Sequence, residues 1–543
     1  MTAEDREART AAADARCAEA FAAAGCPASG VALVAVGGYG RRELAPYSDL
    51  DLVLVHEETV DVREAAATLW YPLWDSGPAL DHAVRTSGEM VGLAAADLRV
   101  ALGLLDLRLV AGDPDVALRL RSAVLTQWRS QARRRLDDLH RLVLDRTRRA
   151  GELADVAVPD LKECAGGLRD ATTMKALAAA WLVDVPHSDL ERCRRALLDA
   201  RDLLHDLAGR RTDRVSPEMW AGLAGGLGLS DELAAQRHVR GLGRRVGHLS
   251  GLTWRRARAV QQRPRVNGIR RPRLESVAEG VAVCDGEVVL APGARPTSDP
   301  VLLLRAAAAA AERGVVLAPH TAARLVRQGL RLPQPWPAEA QRHFVSLLGT
   351  GNRLRPVWET LDETGALDVL LPEWAGVRLL PHATPVHRYT VDRHLVETCV
   401  AAATLTARVE RPDLLLVAGL LHDIGKGTAG EHSRTGEPVA RGIALRMGFP
   451  PADAEVVGRL VRHHLLLPDV ATTRDLGDPR VLALVGEAVG DDAGLALLAA
   501  LTEADARATG EQAWTRWRRG LVGELVAGVR TALRRAATLE GRS

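Results

Sequence analysis

Two sets of residues in this 543-residue chain have the types and the spacing for chemistry. The first is Gly37-Gly38, followed after nine residues by Ser48-Asp49-Leu50-Asp51. Side chains alternate along a strand, so Asp49 and Asp51 would share one face while Leu50 and Leu52 point to the core. Glycine has no Cβ and lets a backbone approach a phosphate closely. Two convergent carboxylates beside such a turn make a Mg²⁺ site for triphosphate chemistry. The second set is His387, His394, His422-Asp423, His432, His463-His464 and Asp505, with Lys426 among them. Histidines and carboxylates drawn from several helices suit a metal site inside a helical bundle. On a helix His422 and Asp423 would diverge by about 100°. They would then touch one metal from its rim, or bridge two through Asp423.

The elements that must position these residues are legible in outline. Residues 31–36 form an apolar run of buried-strand length, closed by the glycine turn. Arg41-Arg42-Glu43-Leu44 fits a short helix ended by Pro46, and residues 50–55 form the strand that carries the aspartates. Residues 4–24 and 62–74 read as helices. Residues 80–86 read as a third strand, with Asp81 the candidate for a third carboxylate. From 89 to 271 the pattern is helical, interrupted by Pro159-Asp160-Leu161-Lys162-Glu163 and Gly166-Gly167-Leu168-Arg169-Asp170. Lys162 and Arg169 there could contact triphosphate charge, or be surface charges on a turn between helices. Residues 254–273 are the most basic run and read as a solvated linker. Residues 281–290 predict a hairpin turning at Asp285-Gly286. Helices follow over 302–311 and 321–328, and again over 414–421. An Arg/Ala-rich helical tail closes the chain over 513–543.

Composition sets the class. Hydrophobic residues make up 47% and charged residues 26%, an ordinary globular balance, and the Ala/Leu excess with 3% aromatics favours helices. A net charge of +2 gives no global reason to expect a nucleic-acid partner. The six cysteines form no CxxC pair, which speaks for a reducing compartment and against a structural zinc. No signal peptide and no apolar run of about 18 residues is present, so the expected location is cytoplasmic. The chain has three lysines, Lys162, Lys175 and Lys426, against 68 arginines. That bias suggests a GC-rich genome in which a retained lysine has a chemical use.

The string GGYGRREL-x-P-x-SDLDL resembles the nucleotidyltransferase signature of the DNA polymerase β superfamily, in the branch of PII uridylyltransferase/uridylyl-removing enzymes. The segments PDLKECAGGLRD, YTVDRH, LLHDIGKG, EHSRTG, VRHHLLLPD and ADARATG resemble the same family, the last five its HD phosphohydrolase region. The resemblance implies a mainly α fold with a small α/β part. Its parts would be a polymerase β-like core over 1–90, a helical domain over 91–275, a linker with hairpin over 276–380, an all-α HD domain over 381–510 and the tail over 511–543. It implies Mg²⁺ on Asp49 and Asp51, and nucleotide binding by Gly37, Gly38, Ser48, Lys162 and Arg169. In the HD domain it implies a first metal (Mn²⁺, Fe²⁺ or Mg²⁺) on His394, His422, Asp423 and Asp505. A second would sit on His432, His463 and His464, with Lys426 steadying phosphoryl oxygens during hydrolysis by a metal-activated water. The expected partners are a PII-type signalling protein and UTP or ATP. The family's C-terminal ACT domains are not expected in residues 513–543, which leaves glutamine sensing open. The alternatives are an HD metal phosphohydrolase, a tRNA nucleotidyltransferase-like enzyme, and a half-active module that binds the PII partner.

Overall fold

The computed structural model describes residues 3–75, 77, 79–262, 273–328, 331–382 and 389–540. It divides into two units, Met1–Arg265 and Val266–Ser543. Helices dominate both, and each holds one four-stranded sheet. Among the described residues no helix is long and apolar enough to cross a membrane.

In the first unit the sheet has the order β3-β2-β1-β4, made of β1 (Val31–Ala35), β2 (Leu50–His56), β3 (Leu80–Thr86) and β4 (Arg108–Gly112). β1 runs antiparallel to β2 and β4, and β2 runs parallel to β3. All five residues of β1 are buried, as expected of a continuous apolar central strand covered on both faces. One face packs on the helices Ala3–Ala23 and Arg63–Asp75 through Phe21, Leu69 and Trp70. The other packs on the 37-residue helix Pro114–Ala150 through Leu120 and Val124. The unit continues through the helices Leu168–Ala179, His187–Ala208 and Glu232–Gln262, which share a third core around Leu197, Leu204 and Val239.

Three expectations change here. The turn of helix near the glycines occupies Gly37–Gly40 itself, while Arg41 and Arg42 form a turn, with Arg42 at φ 61°. Gly40 explains the placement: a Cβ there would lie 2.3 Å from the Asp106 carbonyl oxygen, so only glycine allows this approach. β4 was hidden in a stretch that reads as helix, because its five residues are all half-buried and lack a clean period. The basic run is helical as far as Gln262, with Trp254 buried; residues 263–272 lie outside the described residues.

The second unit opens with β5 (Glu275–Ala278), β6 (Val281–Cys284), β7 (Glu287–Leu290) and β8 (Val316–Leu317), in that order across the sheet. Asp285 and Gly286 turn the hairpin with φ 52° and 82°, both left-handed as a two-residue hairpin turn demands. Residues 276–380 are no linker in packing terms. Leu304, Phe344, Trp358 and Trp374 belong to one continuous core with Leu395, Leu416, Val457 and Leu501. The helix expected near the C-terminus spans Arg516–Glu540 and buries Val522, Leu525 and Val529 in that core.

Candidate active sites

In the first unit the pleat of β2 and its pairing with β3 bring three carboxylates together. Asp51 lies opposite Asp81 in the parallel register, and Asp49 stands just before the strand on the same face as Asp51. Burial pushes the Asp51 carboxyl up to about 6, and the charges of Asp49 and then Asp81 add to the rise. A buried carboxyl raised by neighbouring carboxylates is what a cation site looks like before the cation is bound. Gly37 has φ 57°, and a Cβ on it would lie 3.0 Å from Asp51 Oδ2, so the glycine both makes the turn and leaves room at the carboxylate. Nothing lies within 4 Å of a Cβ position on Gly38.

These residues line a cavity of about 500 Å³ together with Ser48, Lys162, Arg169, Arg201 and Arg211. Ser48 Oγ accepts the Ala45 backbone N–H at 3.0 Å, so it fixes the turn into β2 as well as facing the cavity. Arg169 donates to Glu163 Oε1 at 3.1 Å, half-exposed at the cavity wall. Burial presses the Lys162 ammonium below its usual range, with Asp213 opposing from 4.0 Å. Arg201 donates to Asp213 Oδ1 at 2.5 Å, and Arg211 to Asp49 Oδ2 at 2.7 Å. Burial opposes the charge on Asp213, yet His205 and Arg201 beside it hold its carboxyl well below the usual range. Sequence reasoning missed Arg201, Arg211 and Asp213. The only available signal was a charged run, Arg210-Arg211-Thr212-Asp213-Arg214, directly after the helix His187–Ala208.

In the second unit the histidine-aspartate centre is built from helix ends. His422 and His464 cap the C-termini of the helices Pro412–Leu421 and Pro451–His463. Each donates Nδ1–H to the carbonyl three residues back, Gly419 at 2.9 Å and Val461 at 2.7 Å. A carbonyl only accepts, so in both rings the Nε2 lone pair is left facing the centre, the orientation a metal requires. The α-helix ends before Asp423, which has φ −107° and ψ 12° and leads into the 3₁₀ turn Ile424–Gly427. The expected 100° divergence of His422 and Asp423 is therefore relaxed, and both reach one point. Gly425 makes this turn: a Cβ on it would lie 2.1 Å from the His432 carbonyl oxygen.

Four side chains converge on a first position. His394 Nε2 lies 3.2 Å from His422 Nε2, 2.9 Å from Asp505 Oδ1 and 3.9 Å from Asp423 Oδ2; His422 Nε2 lies 3.5 Å from Asp423 Oδ2 and 3.7 Å from Asp505 Oδ1. At a second position His432 Nε2 lies 3.4 Å from both His464 Nε2 and Asp423 Oδ1, and His464 Nε2 lies 3.6 Å from Asp423 Oδ1. Donors about 2.1 Å from a common ion stand roughly 3.0 Å apart in octahedral and 3.4 Å apart in tetrahedral arrangement. Both sets fit, and Asp423 offers one oxygen to each. Its Oδ1 is buried without a hydrogen bond, a vacancy in bonding that suits a ligand atom. Burial pushes the His422 imidazolium down to about 4, so the ring is neutral. Burial works against the charge of Asp423, but the Lys426 ammonium beside it favours the ionised carboxylate, which stays well below the usual range.

His463 is not part of this centre. The groups whose donor atoms come together are His394, His422 and Asp423, and Asp423, His432 and His464, while the charges near His463 are those of Arg462, Glu437 and Arg459. His387 lies outside the described residues. Lys426 Nζ pairs with Asp423 Oδ2 at 2.5 Å and lines a cavity of about 560 Å³ with Asp423, His432, His464 and Asp505. His382, absent from the sequence reading, lines it too, its ring 5.5 Å from that of His394.

A family model described as GlnD PII-uridylyltransferase matches residues 137–254, and one for the HD domain matches residues 391–489. The HD match implies a divalent metal at the second centre. A bifunctional uridylyltransferase/uridylyl-removing enzyme of Streptomyces coelicolor is 51% identical over 520 residues, 93% of this chain and 62% of the relative. One of Mycobacterium tuberculosis is 43% identical over 511 residues, 92% of this chain and 63% of the relative. One of Corynebacterium glutamicum is 37% identical over 489 residues, 90% of this chain and 70% of the relative. The chain thus spans just over three fifths of the length of the first two.

Proposed function

This chain belongs to the bifunctional uridylyltransferase/uridylyl-removing enzyme family, and from that premise we propose that it adds a nucleoside monophosphate to a tyrosine of a PII-type regulatory protein and hydrolyses it off again. The observation that carries the reading is the presence, one in each unit, of a carboxylate trio in a cationic cavity and a bridged histidine-aspartate centre.

Asp49, Asp51 and Asp81 would hold Mg²⁺ in the transferase site. Bound there, the ion would neutralise charge on the triphosphate and on the departing pyrophosphate. Gly37 and Gly38 leave the backbone open to the phosphates, and Lys162, Arg201 and Arg211 supply positive charge around them. The tyrosyl oxygen forms a bond to the α-phosphorus as the bond to pyrophosphate breaks. Asp81, exposed at the edge of the trio, would take the phenolic proton. The names of the relatives favour UTP over ATP as the donor.

At the second centre His394, His422, Asp423 and Asp505 would hold one divalent cation, Mn²⁺, Fe²⁺ or Mg²⁺, and Asp423, His432 and His464 a second. Such a cation supplies an acidified water and shields developing phosphoryl charge. The His422 and His464 carbonyl bonds keep both rings aimed inward, and Lys426 meets the phosphoryl oxygens. Water oxygen replaces the tyrosyl oxygen on phosphorus and a proton passes from the water to the tyrosyl oxygen, giving the unmodified tyrosine side chain of the partner and the nucleoside monophosphate.

Intact mass spectrometry of a PII-type protein incubated with this chain, Mg²⁺ and UTP or ATP tests the reading. A gain of one nucleoside monophosphate is expected. Asp49→Asn with Asp51→Asn abolishes the gain and leaves removal intact, while His422→Ala with Asp423→Ala does the reverse. Loss of both activities in either folded double variant overturns the assignment of two sites.

A further inference from the structure

The second cavity has a wall that lies outside the HD family match. The candidate metal ligands Asp423, His432, His464 and Asp505 line this cavity, with Asp423 and His464 each 2% exposed. The same cavity is lined by residues from 513–522: Ala513, Trp514, Arg518 and Val522. The HD match ends at residue 489, before both Asp505 and this wall. It is also a fixed one, because the helix Arg516–Glu540 is anchored by Leu525 and Val529, both 0% exposed.

The chemistry of the wall differs from that of the metal end. Trp514 is partly buried, and its Nε1 is a buried donor with no hydrogen-bond partner. Arg518 is exposed, and its Nη1 donates to the Ala513 carbonyl at 3.2 Å; among the described residues no carboxylate pairs with it. Thr472 and Thr509 add hydroxyl groups to the same cavity. A phosphodiester engaged by the metal ligands and Lys426 must carry its nucleoside somewhere within about 560 Å³. The wall offers a flat ring for stacking, a buried N–H to be matched and a cation without a counter-charge. These are the features by which proteins hold a base without reading a duplex.

We propose that Trp514 and Arg518 form the nucleoside subsite of the hydrolytic centre, Trp514 by stacking on the base and Arg518 by facing the base or the sugar-phosphate. The inference rests on the hydrolytic half of the proposed function. The centre thereby distinguishes a nucleotidylated tyrosine from other phosphodiesters, such as a plain aryl diester that lacks a base.

The test compares two substrates on the full chain loaded with Mn²⁺: the nucleotidylated PII-type protein, and bis(p-nitrophenyl) phosphate, which needs the metal end alone. In Trp514→Ala and Arg518→Ala, KM for the nucleotidylated protein should rise on the order of ten- to a hundredfold, the range that loss of one stacked base corresponds to. Turnover of bis(p-nitrophenyl) phosphate should stay within about twofold of the unaltered chain, and Trp514→Phe should restore most of the loss. Free UMP should inhibit bis(p-nitrophenyl) phosphate turnover in the unaltered chain and do so far more weakly in Trp514→Ala. Equal losses on both substrates would make the wall structural and overturn the subsite. An unchanged KM for the nucleotidylated protein would also overturn it. If the unaltered chain cleaves bis(p-nitrophenyl) phosphate but not the nucleotidylated protein, the proposed function fails and the subsite falls with it.

Discussion

Replacing Asp423 by Asn is expected to weaken both metal positions of the histidine-aspartate centre at once. The residue gives Oδ2 to the position of His394, His422 and Asp505, and Oδ1 to that of His432 and His464. Asn keeps the volume and removes the charge, so one donor of four is neutralised at the first position and one of three at the second. Loss of an outer partner to a ligand costs roughly ten- to a hundredfold in metal affinity. A neutralised donor itself should cost at least the upper figure, about 2.7 kcal/mol per ion. The first position keeps Asp505 as an anion, whereas the second keeps two imidazoles only. The second ion should therefore be lost first. Metal per chain, measured by plasma mass spectrometry after equilibration at fixed free Mn²⁺, should fall from near two to below one. His432→Ala should hold one ion, because it leaves the first set whole. A folded Asp423→Asn chain that binds as many ions as the unaltered chain at the same free concentration would refute the bridge.

Other perturbations separate the remaining roles. His463→Ala should leave metal content and hydrolysis within about twofold of the unaltered chain, since His463 is outside both clusters of donor atoms. Gly37→Ala forces a left-handed residue, at roughly 1–2 kcal/mol, and sets a methyl 3.0 Å from Asp51 Oδ2; nucleotidyl transfer should fall at least about tenfold with hydrolysis unchanged. Burial, with Arg245 and Arg255 adding to it, presses His248 down to about 3. The folded state therefore refuses a proton that the unfolded state accepts below about 6.5, so stability is full above that pH and declines as pH falls toward 3. Denaturant unfolding at pH 5.5 against 7.5 should show a loss of about 1.4 kcal/mol from this group, absent in His248→Leu. Leu525→Ala removes a fully buried side chain and should destabilise the second unit by about 2–5 kcal/mol in the same measurement.

What the sequence disclosed and what it concealed follow from the range of the interactions involved. β2 and its aspartates were legible because a period of two is a local property, and β3 because its limits are set by flanking turn residues. The partnership of Asp81 with Asp51 depended on a register that only pairing fixes. β4 escaped because its burial comes from antiparallel pairing with β1 rather than from its own five residues. His422 and Asp423 were recognisable as ligands, but their joint aim depends on the helix stopping at Leu421, which Gly425 makes possible by close approach to His432. Between the adjacent His463 and His464, spacing alone could not choose; the carbonyl of Val461 does. Arg201, Arg211 and Asp213 matter through contacts with Asp49 and Lys162, far away in the chain. No pattern within a short window records such contacts.

The scarcity of lysine gives the molecule an unplanned set of chemical reporters. Of the three ε-amines, Lys162 faces the carboxylate cavity, Lys426 faces the histidine-aspartate cavity, and Lys175 stands 3.7 Å from Glu191. An acylating reagent that ignores guanidinium groups therefore finds few side-chain targets, and two of them sit in the two cavities. The burial that favours the neutral amine of Lys162 also raises its share of nucleophile at neutral pH. Protection of one amine at a time, read by peptide mass, would report which cavity a nucleotide or a partner has entered without any label being introduced.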